Sequence, residues 1–199
     1  MQCASGEQCS VREGVRGCHK QEGSCTVKPG AHLKSFDAME GKIASGGAFE
    51  IAALCDRGSA EWFRVVVDVR LCVKGSLAAA VTVYAFFDDT MIAVNNEHQT
   101  WVNGKQVALP QKLKNELSIH ISDKLVIIEK KSAVRVSYSV TQEVTVAVSA
   151  HLAGRTCGAC GNFNGDGKDD MVTAGGKISV SVSEIIDSWR AKDFSGCGL

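Results

Sequence analysis

From residue 49 to residue 148 the chain is a succession of short apolar runs broken by turn residues. FEIAALC (49–55), EWFRVVVDVRLC (61–72), LAAAVTVYAFF (77–87) and TMIAVNN (90–96) are rich in β-branched and aromatic residues, the composition of strands. Asp88-Asp89 parts two of them as a turn. TWVNGKQVALP (100–110) sets Asn103-Gly104 between apolar flanks, the strongest short hairpin signal, since both residues tolerate the positive φ of a type I′ turn. Residues 117–152 supply about four more strands, and VRVSYSVTQEVTVAVSA (134–150) alternates apolar and polar positions, the period of a half-buried strand. A helical period emerges only near the end, in SVSEIIDSWRAK (181–192). Ser181 or Ser183 can cap it, and Ile185, Ile186 and Trp189 share one face. Many antiparallel strands and one late helix predict an all-β protein: an antiparallel β-sandwich with one short C-terminal helix.

The pattern fails at the front. Residues 1–24 are short of large apolar side chains and cannot build a core, so they must be stapled. They read as the tail of a small cysteine-rich module, leaving residues 25–199 as the main domain. Nine cysteines imply an oxidising compartment and a disulfide framework, and the odd count leaves at least one without an intrachain partner. No apolar leader stands in MQCASGEQCSVREG and no run is long enough to span a membrane. A secreted cysteine pattern without a leader is what a piece of a longer secreted protein would show.

Charge adds an exclusion. Lys plus Arg equals Asp plus Glu at 22 each, and no basic stripe stands out, which argues against a nucleic-acid partner. The five histidines lie in no recognisable catalytic context, and no N-x-S/T sequon occurs. The reading is non-catalytic.

The candidate chemistry sits in CGACGNFNGDGKDD (157–170). Asn162, Asn164 and Asp166 alternate ahead of Gly167, as do the first oxygens of an EF-hand loop, and alternate side chains on a tightly curled loop converge. Calcium takes six to eight oxygens, so three are too few. The position of the EF-hand's closing glutamate is Thr173, but Asp169 and Asp170 can supply charge, and carboxylates crowded together repel unless a divalent cation intervenes. The competing reading is a solvated Asn/Asp/Gly turn. Cys157 and Cys160 form a CxxC, which is a redox pair, half a zinc site, or two structural cysteines with separate partners. A polar loop rather than a helix follows it, and no second Cys/His pair has suitable spacing, so structural disulfides are favoured. A thiol–disulfide oxidoreductase using Cys157 and Cys160 to assist multimer assembly is the alternative function.

These residues carry a resemblance. CGACGNFNGDGKDDMVTAGG, then IIDSWR and a late cysteine, resembles the C-terminal half of a von Willebrand factor type D domain, and CTVKPGAHLKSFDAMEGK resembles its first segment. The likeness runs from about Cys25 to Cys197. The leader is similar to the TIL-type cysteine-rich linker that precedes such domains in extracellular mosaic proteins. The resemblance implies a sandwich with a structural calcium, held by Asp37 from the early segment with Asn162, Asn164, Asp169 and Asp170. Asp166 lies where the family can use a backbone carbonyl. It also implies disulfides Cys25–Cys160, Cys55–Cys197 and Cys72–Cys157, leaving Cys3, Cys9 and Cys18 with one pair among them that involves Cys18. The family's Gly-Asp-Pro-His is Pro29-Gly30-Ala31-His32 here, so no acid-labile Asp-Pro bond is present to be cleaved. The implied role is an extracellular adhesion or matrix module. Its partners would be extracellular proteins or neighbouring modules, with homo-oligomers formed through modules outside this segment.

Overall fold

The computed structural model describes residues 7–12, 14–70 and 79–194. Its strands begin with β1 (Glu7–Arg12), β2 (Val15–Lys20), β3 (Gly23–Lys28), β4 (His32–Lys34), β5 (Glu40–Lys42) and β6 (Gly47–Leu54). Next come β7 (Arg64–Arg70), β8 (Ala79–Phe87), β9 (Thr90–Asn95), β10 (Thr100–Val102), β11 (Lys105–Val107) and β12 (Gln111–Lys112). The last are β13 (Leu117–Ser122), β14 (Leu125–Lys130), β15 (Val134–Ser139), β16 (Val144–Val148) and β17 (Thr156–Cys157), followed by helix α1 (Val182–Ser188).

Two antiparallel sheets make the sandwich. One runs β11-β10-β9-β8-β7-β6-β17, the other β12-β13-β14-β15-β16-β3-β4-β5, and β1-β2 is a separate ribbon. Alternation decides which side chains meet. Val134, Val136 and Tyr138 of β15, with Val144, Val146 and Val148 of β16, point inward at 3% exposure or less. Phe49, Val65, Val67, Val83 and Ile92 of the opposite sheet join them in one apolar core. Burying each large side chain contributes roughly 1.5–3 kcal/mol. β7 reads as a continuous rather than alternating run because both its faces are covered: outward-facing Val66 is as buried as Val65 and Val67. Phe194 packs on the rings of Tyr84 and Phe86 of neighbouring β8, closing that outer side.

The long strands fall where the apolar runs placed them. Asn103 and Gly104 join β10 to β11 with φ of 48° and 78°, the two positive values a type I′ turn requires. The helix is shorter than its period suggested. Ser181 is its cap, accepting from the Glu184 N–H, but it ends at Ser188 because sheet pairing captures the chain next. Glu50 N–H donates to the Trp189 carbonyl, Ala191 N–H to the Ala48 carbonyl, and Arg190 bridges to Phe49. Strands β1–β5, β12 and β17 went unanticipated: β4, β5, β12 and β17 are two or three residues long, too brief to show a period, and the six-residue β1–β3 are poor in large apolar side chains.

Candidate metal centre and the cysteines that frame it

One strand edge organises the site. β17 pairs with β6 (Cys157 opposite Ala53, Thr156 opposite Leu54), and the turn beyond it stays on that strand. Ala159 N–H donates to the Glu50 carbonyl and Cys160 N–H to that of Ile51. Gly158 makes this approach possible. Its φ is +118°, and a Cβ there would meet the Ile51 carbonyl oxygen at 2.5 Å.

Cys160 then bonds to Cys25 of β3 in the opposite sheet, with a Cα–Cα distance of 5.9 Å and both residues fully buried. This pairing agrees with the resemblance. Cys3, Cys72 and Cys197 lie outside the described residues, while Cys55 and Cys157, expected to pair with Cys197 and Cys72, both stand as thiols. Cys18 is disulfide-bonded, whereas Cys9, opposite it across the ribbon, keeps an exposed thiol that accepts from Arg16 Nε at 3.4 Å. Cys55 and Cys157 are both thiols, and they hydrogen-bond to each other. That contact holds the Cys55 thiol below its ordinary range and pushes Cys157 up, and burial pushes Cys157 further.

The loop from residue 161 to residue 170 folds by a chain of side-chain turns. Asn162 Oδ1 accepts from the N–H of Asn164, Asn164 Oδ1 from that of Asp166, and Asp166 Oδ1 from that of Lys168. The alternation read as EF-hand-like thus produces successive Asx turns. Asp37, between β4 and β5, reaches across from the front of the domain. Its two oxygens accept from Asn164 N–H at 3.0 Å and Gly165 N–H at 2.9 Å. Phe36 N–H donates to the Cys160 carbonyl, and the Phe36 ring lies 5.6 Å from that of Phe163.

Asp170 is the buried carboxylate of the group. Oδ1 accepts from Asn162 N–H at 3.0 Å and Oδ2 from the Ser35 hydroxyl at 3.3 Å. Gly161 leaves room for it, since a Cβ there would fall 2.1 Å from that carboxylate. Burial pushes the Asp170 carboxyl above the ordinary aspartate range, and the charges of Asp37 and Asp169 push the same way against its two hydrogen bonds. Asp169 Oδ2 accepts from the amides of Asn162 at 3.2 Å and Asn164 at 2.5 Å.

Asp37, Asn162, Asn164, Asp169 and Asp170 are therefore joined in one hydrogen-bonded cluster. Asp166 is not joined to it by its carboxylate, which closes the turn onto Lys168. Among the described residues no three His, Cys, Asp or Glu side chains are gathered as a metal cage; asparagine amides and backbone N–H groups separate the carboxylates. The donor set is nonetheless all oxygen, with a buried, repelled carboxylate at its base, and that chemistry fits a hard divalent cation. Sequence reasoning missed the Ser35 hydroxyl and the Phe36–Phe163 pair. It also missed the contact of Cys55 with Cys157, for which no local signal exists, because a strand pairing across a hundred residues creates it.

Residues 25–177 match the von Willebrand factor type D domain. The chain is 34% identical to the human (Homo sapiens) IgGFc-binding protein over 98% of its own length, and 30% identical to mouse (Mus musculus) alpha-tectorin over 95%. Human zonadhesin is 25% identical over 95%. The chain spans only 4%, 9% and 7% of these relatives. They are secreted or extracellular, and no described helix is long and apolar enough to cross a membrane. The chain belongs to the von Willebrand factor type D domain family and is an extracellular member of it.

Proposed function

We propose that this domain is a non-catalytic structural or adhesion module of a larger extracellular protein, and that a calcium ion clasps its front segment to the loop after Cys160. The observation that carries the reading is the reach of Asp37 across 127 residues to the backbone of Asn164. Asp37, Asn162, Asn164, Asp169 and Asp170 would hold the ion. When bound, calcium supplies positive charge beside Asp170, on which the charges of Asp37 and Asp169 act. The chain's own residues do the rest: Asp37 fixes the loop's N–H groups, Ser35 orients Asp170, and the Cys25–Cys160 bond anchors the loop's base to the far sheet.

A sandwich that pins a polar loop in this way is suited to presenting surface to partners, since loops on rigid scaffolds carry recognition. The partners of this reading are extracellular proteins or neighbouring modules, with homo-oligomers forming through modules beyond this segment. Thermal melting with calcium and with chelator tests the clasp. A ligand that binds only the folded state at a hundred times its Kd adds about 2.7 kcal/mol, so chelation lowers the melting temperature by several degrees. An unchanged melting curve sinks the calcium reading.

A further inference from the structure

The sequence holds two Asn-Gly pairs, Asn103-Gly104 and Asn164-Gly165. Such a pair can react with itself. The glycine nitrogen, with no Cβ beside it to hinder approach, attacks the asparagine side-chain carbonyl and expels ammonia. In the clasp loop every group this reaction needs is already in use. Gly165 N–H, whose nitrogen would attack, donates to Asp37 Oδ1 at 2.9 Å. The carbonyl oxygen Oδ1 of Asn164 accepts from Asp166 N–H at 2.8 Å, and the amide that would leave donates through Nδ2 to Asp169 Oδ2 at 2.5 Å. Asn164 N–H is held by Asp37 Oδ2 at 3.0 Å and by Asn162 Oδ1 at 3.1 Å, which fixes the backbone ahead of the side chain. Crowding gives no such protection. Both residues are exposed, and a Cβ at Gly165 would meet nothing within 4 Å.

We propose that Asn164 is a deamidation site of this domain and that Asp37 keeps it closed, so that opening of the clasp is recorded as a covalent change. When Asp37 withdraws, the N–H groups of Asn164 and Gly165 lose the carboxylate that spans them, and the peptide between the two residues is free to rotate. The Gly165 nitrogen then bonds to Cγ of Asn164. Its proton passes through water to the departing NH2, which leaves as ammonia, and a succinimide ring closes. Water adds to one ring carbonyl or the other and opens the ring to aspartate or isoaspartate, with no oxidant or reductant involved. Either product undoes the clasp. Aspartate sets a carboxylate against Asp169 Oδ2 where an amide had donated, and isoaspartate lengthens the main chain by a methylene just ahead of Asp166. The gate consists of hydrogen bonds that stand without a cation, so a failed chelation test leaves this proposal intact.

Peptide mapping of the whole chain, incubated in chelator at neutral pH and physiological temperature, tests the gate. It reads deamidation at each asparagine, and isoaspartyl methyltransferase labels the isoaspartate formed. In the folded chain Asn164 is expected to convert about tenfold more slowly than in the same chain held unfolded in urea, the factor set by one charge-assisted hydrogen bond. In Asp37→Ala the Asn164 rate should rise by about the same tenfold. Asn103, between β10 and β11 at the opposite end of that sheet from β17, should keep its rate. Asn103 thereby reports the fold: if it speeds up as well, the variant has unfolded, and hydrogen exchange of the parent chain decides instead. There Gly165 N–H should exchange about tenfold more slowly than in the unfolded chain. Exchange of Gly165 N–H at the unfolded rate overturns the proposal, as does an Asn164 conversion rate that is equal in the fold and in urea. An Asn164 rate unmoved by Asp37→Ala while Asn103 stays steady overturns it too.

Discussion

The hairpins from β13 to β16 and the clasp around Asp37 and Asp170 are held together by opposite means. In the hairpins, partners are close in sequence, as in Val126 opposite Tyr138 and Val136 opposite Val146, and the cohesion is apolar burial. In the clasp the joined groups are separated by 127 to 135 residues, and apart from one disulfide and one ring pair the contacts are polar. Burial offers a cation no charge to meet, whereas the clasp is built of carboxylates, amides and one disulfide. One fold thus joins an apolar body to a polar and covalent fastening.

The most forceful way to break the comparison is to cut the covalent part of the fastening. Replacing both Cys25 and Cys160 by alanine removes a cross-link with a sequence separation of 135. Loop-closure entropy puts its contribution near the top of the usual range, about 4–5 kcal/mol. The urea midpoint should fall accordingly, and chelator should have less further effect because the loop has lost its inner anchor. A calcium response as large as before would mean the loop is fastened without this bond. Within the body, Ile128→Ala leaves a cavity beneath β14 and should cost roughly 3 kcal/mol. Urea unfolding with and without calcium should show the same loss. A loss that depends on calcium would erase the distinction between body and fastening.

The body was legible in the sequence because its information is local. The alternation of residues 134–150 fixes which face is buried, and Asn103-Gly104 fixes a turn, each without knowledge of distant residues. The clasp was legible only in part. The Asn162, Asn164, Asp166 spacing does curl the loop, but it cannot say that Asp166 bonds Lys168 instead of joining Asp37. Asp37 was reachable through the family resemblance, which stores long-range proximity that one sequence does not. Ser35 carries no signal of its own in the sequence, because the carboxylate its hydroxyl meets lies 135 residues away. The adjacency of Cys55 and Cys157 follows from the β6–β17 register, and β17 is two residues long, too short to announce itself.

A smaller intervention sharpens the calcium side. Asp37→Asn keeps one oxygen for the two N–H groups now shared by the carboxylate and removes its charge. About 1.5 kcal/mol should be lost in chelator, the scale of a charge-assisted hydrogen bond, and most of the calcium-dependent stabilisation with it. Melting curves of the variant in calcium and in chelator should therefore lie closer together than those of the parent chain. If they stay as far apart, Asp37 holds the loop but not the ion.

The smallest effect separates the fastening from a second long-range polar contact. Arg64 of β7 donates two parallel hydrogen bonds to Asp193, at 2.7 and 2.8 Å, and a third to Glu50 at 2.6 Å, with its guanidinium 5.3 Å from the centre of the Phe86 ring. That guanidinium holds the Asp193 carboxyl below the ordinary aspartate range. A carboxyl whose folded value is depressed adds stability that is fully present above its unfolded value and fades as pH falls through the folded one. Asp193 is 55% exposed, so solvent screening keeps the contribution under about 1 kcal/mol. Asp193→Asn should flatten the acid end of the stability profile by that amount and leave the chelation response untouched, because this contact ties the C-terminal segment to the body without involving the loop. A chelation response altered by Asp193→Asn would show that the two polar fastenings are coupled through β6, the strand that carries Glu50 at one and pairs with β17 at the other.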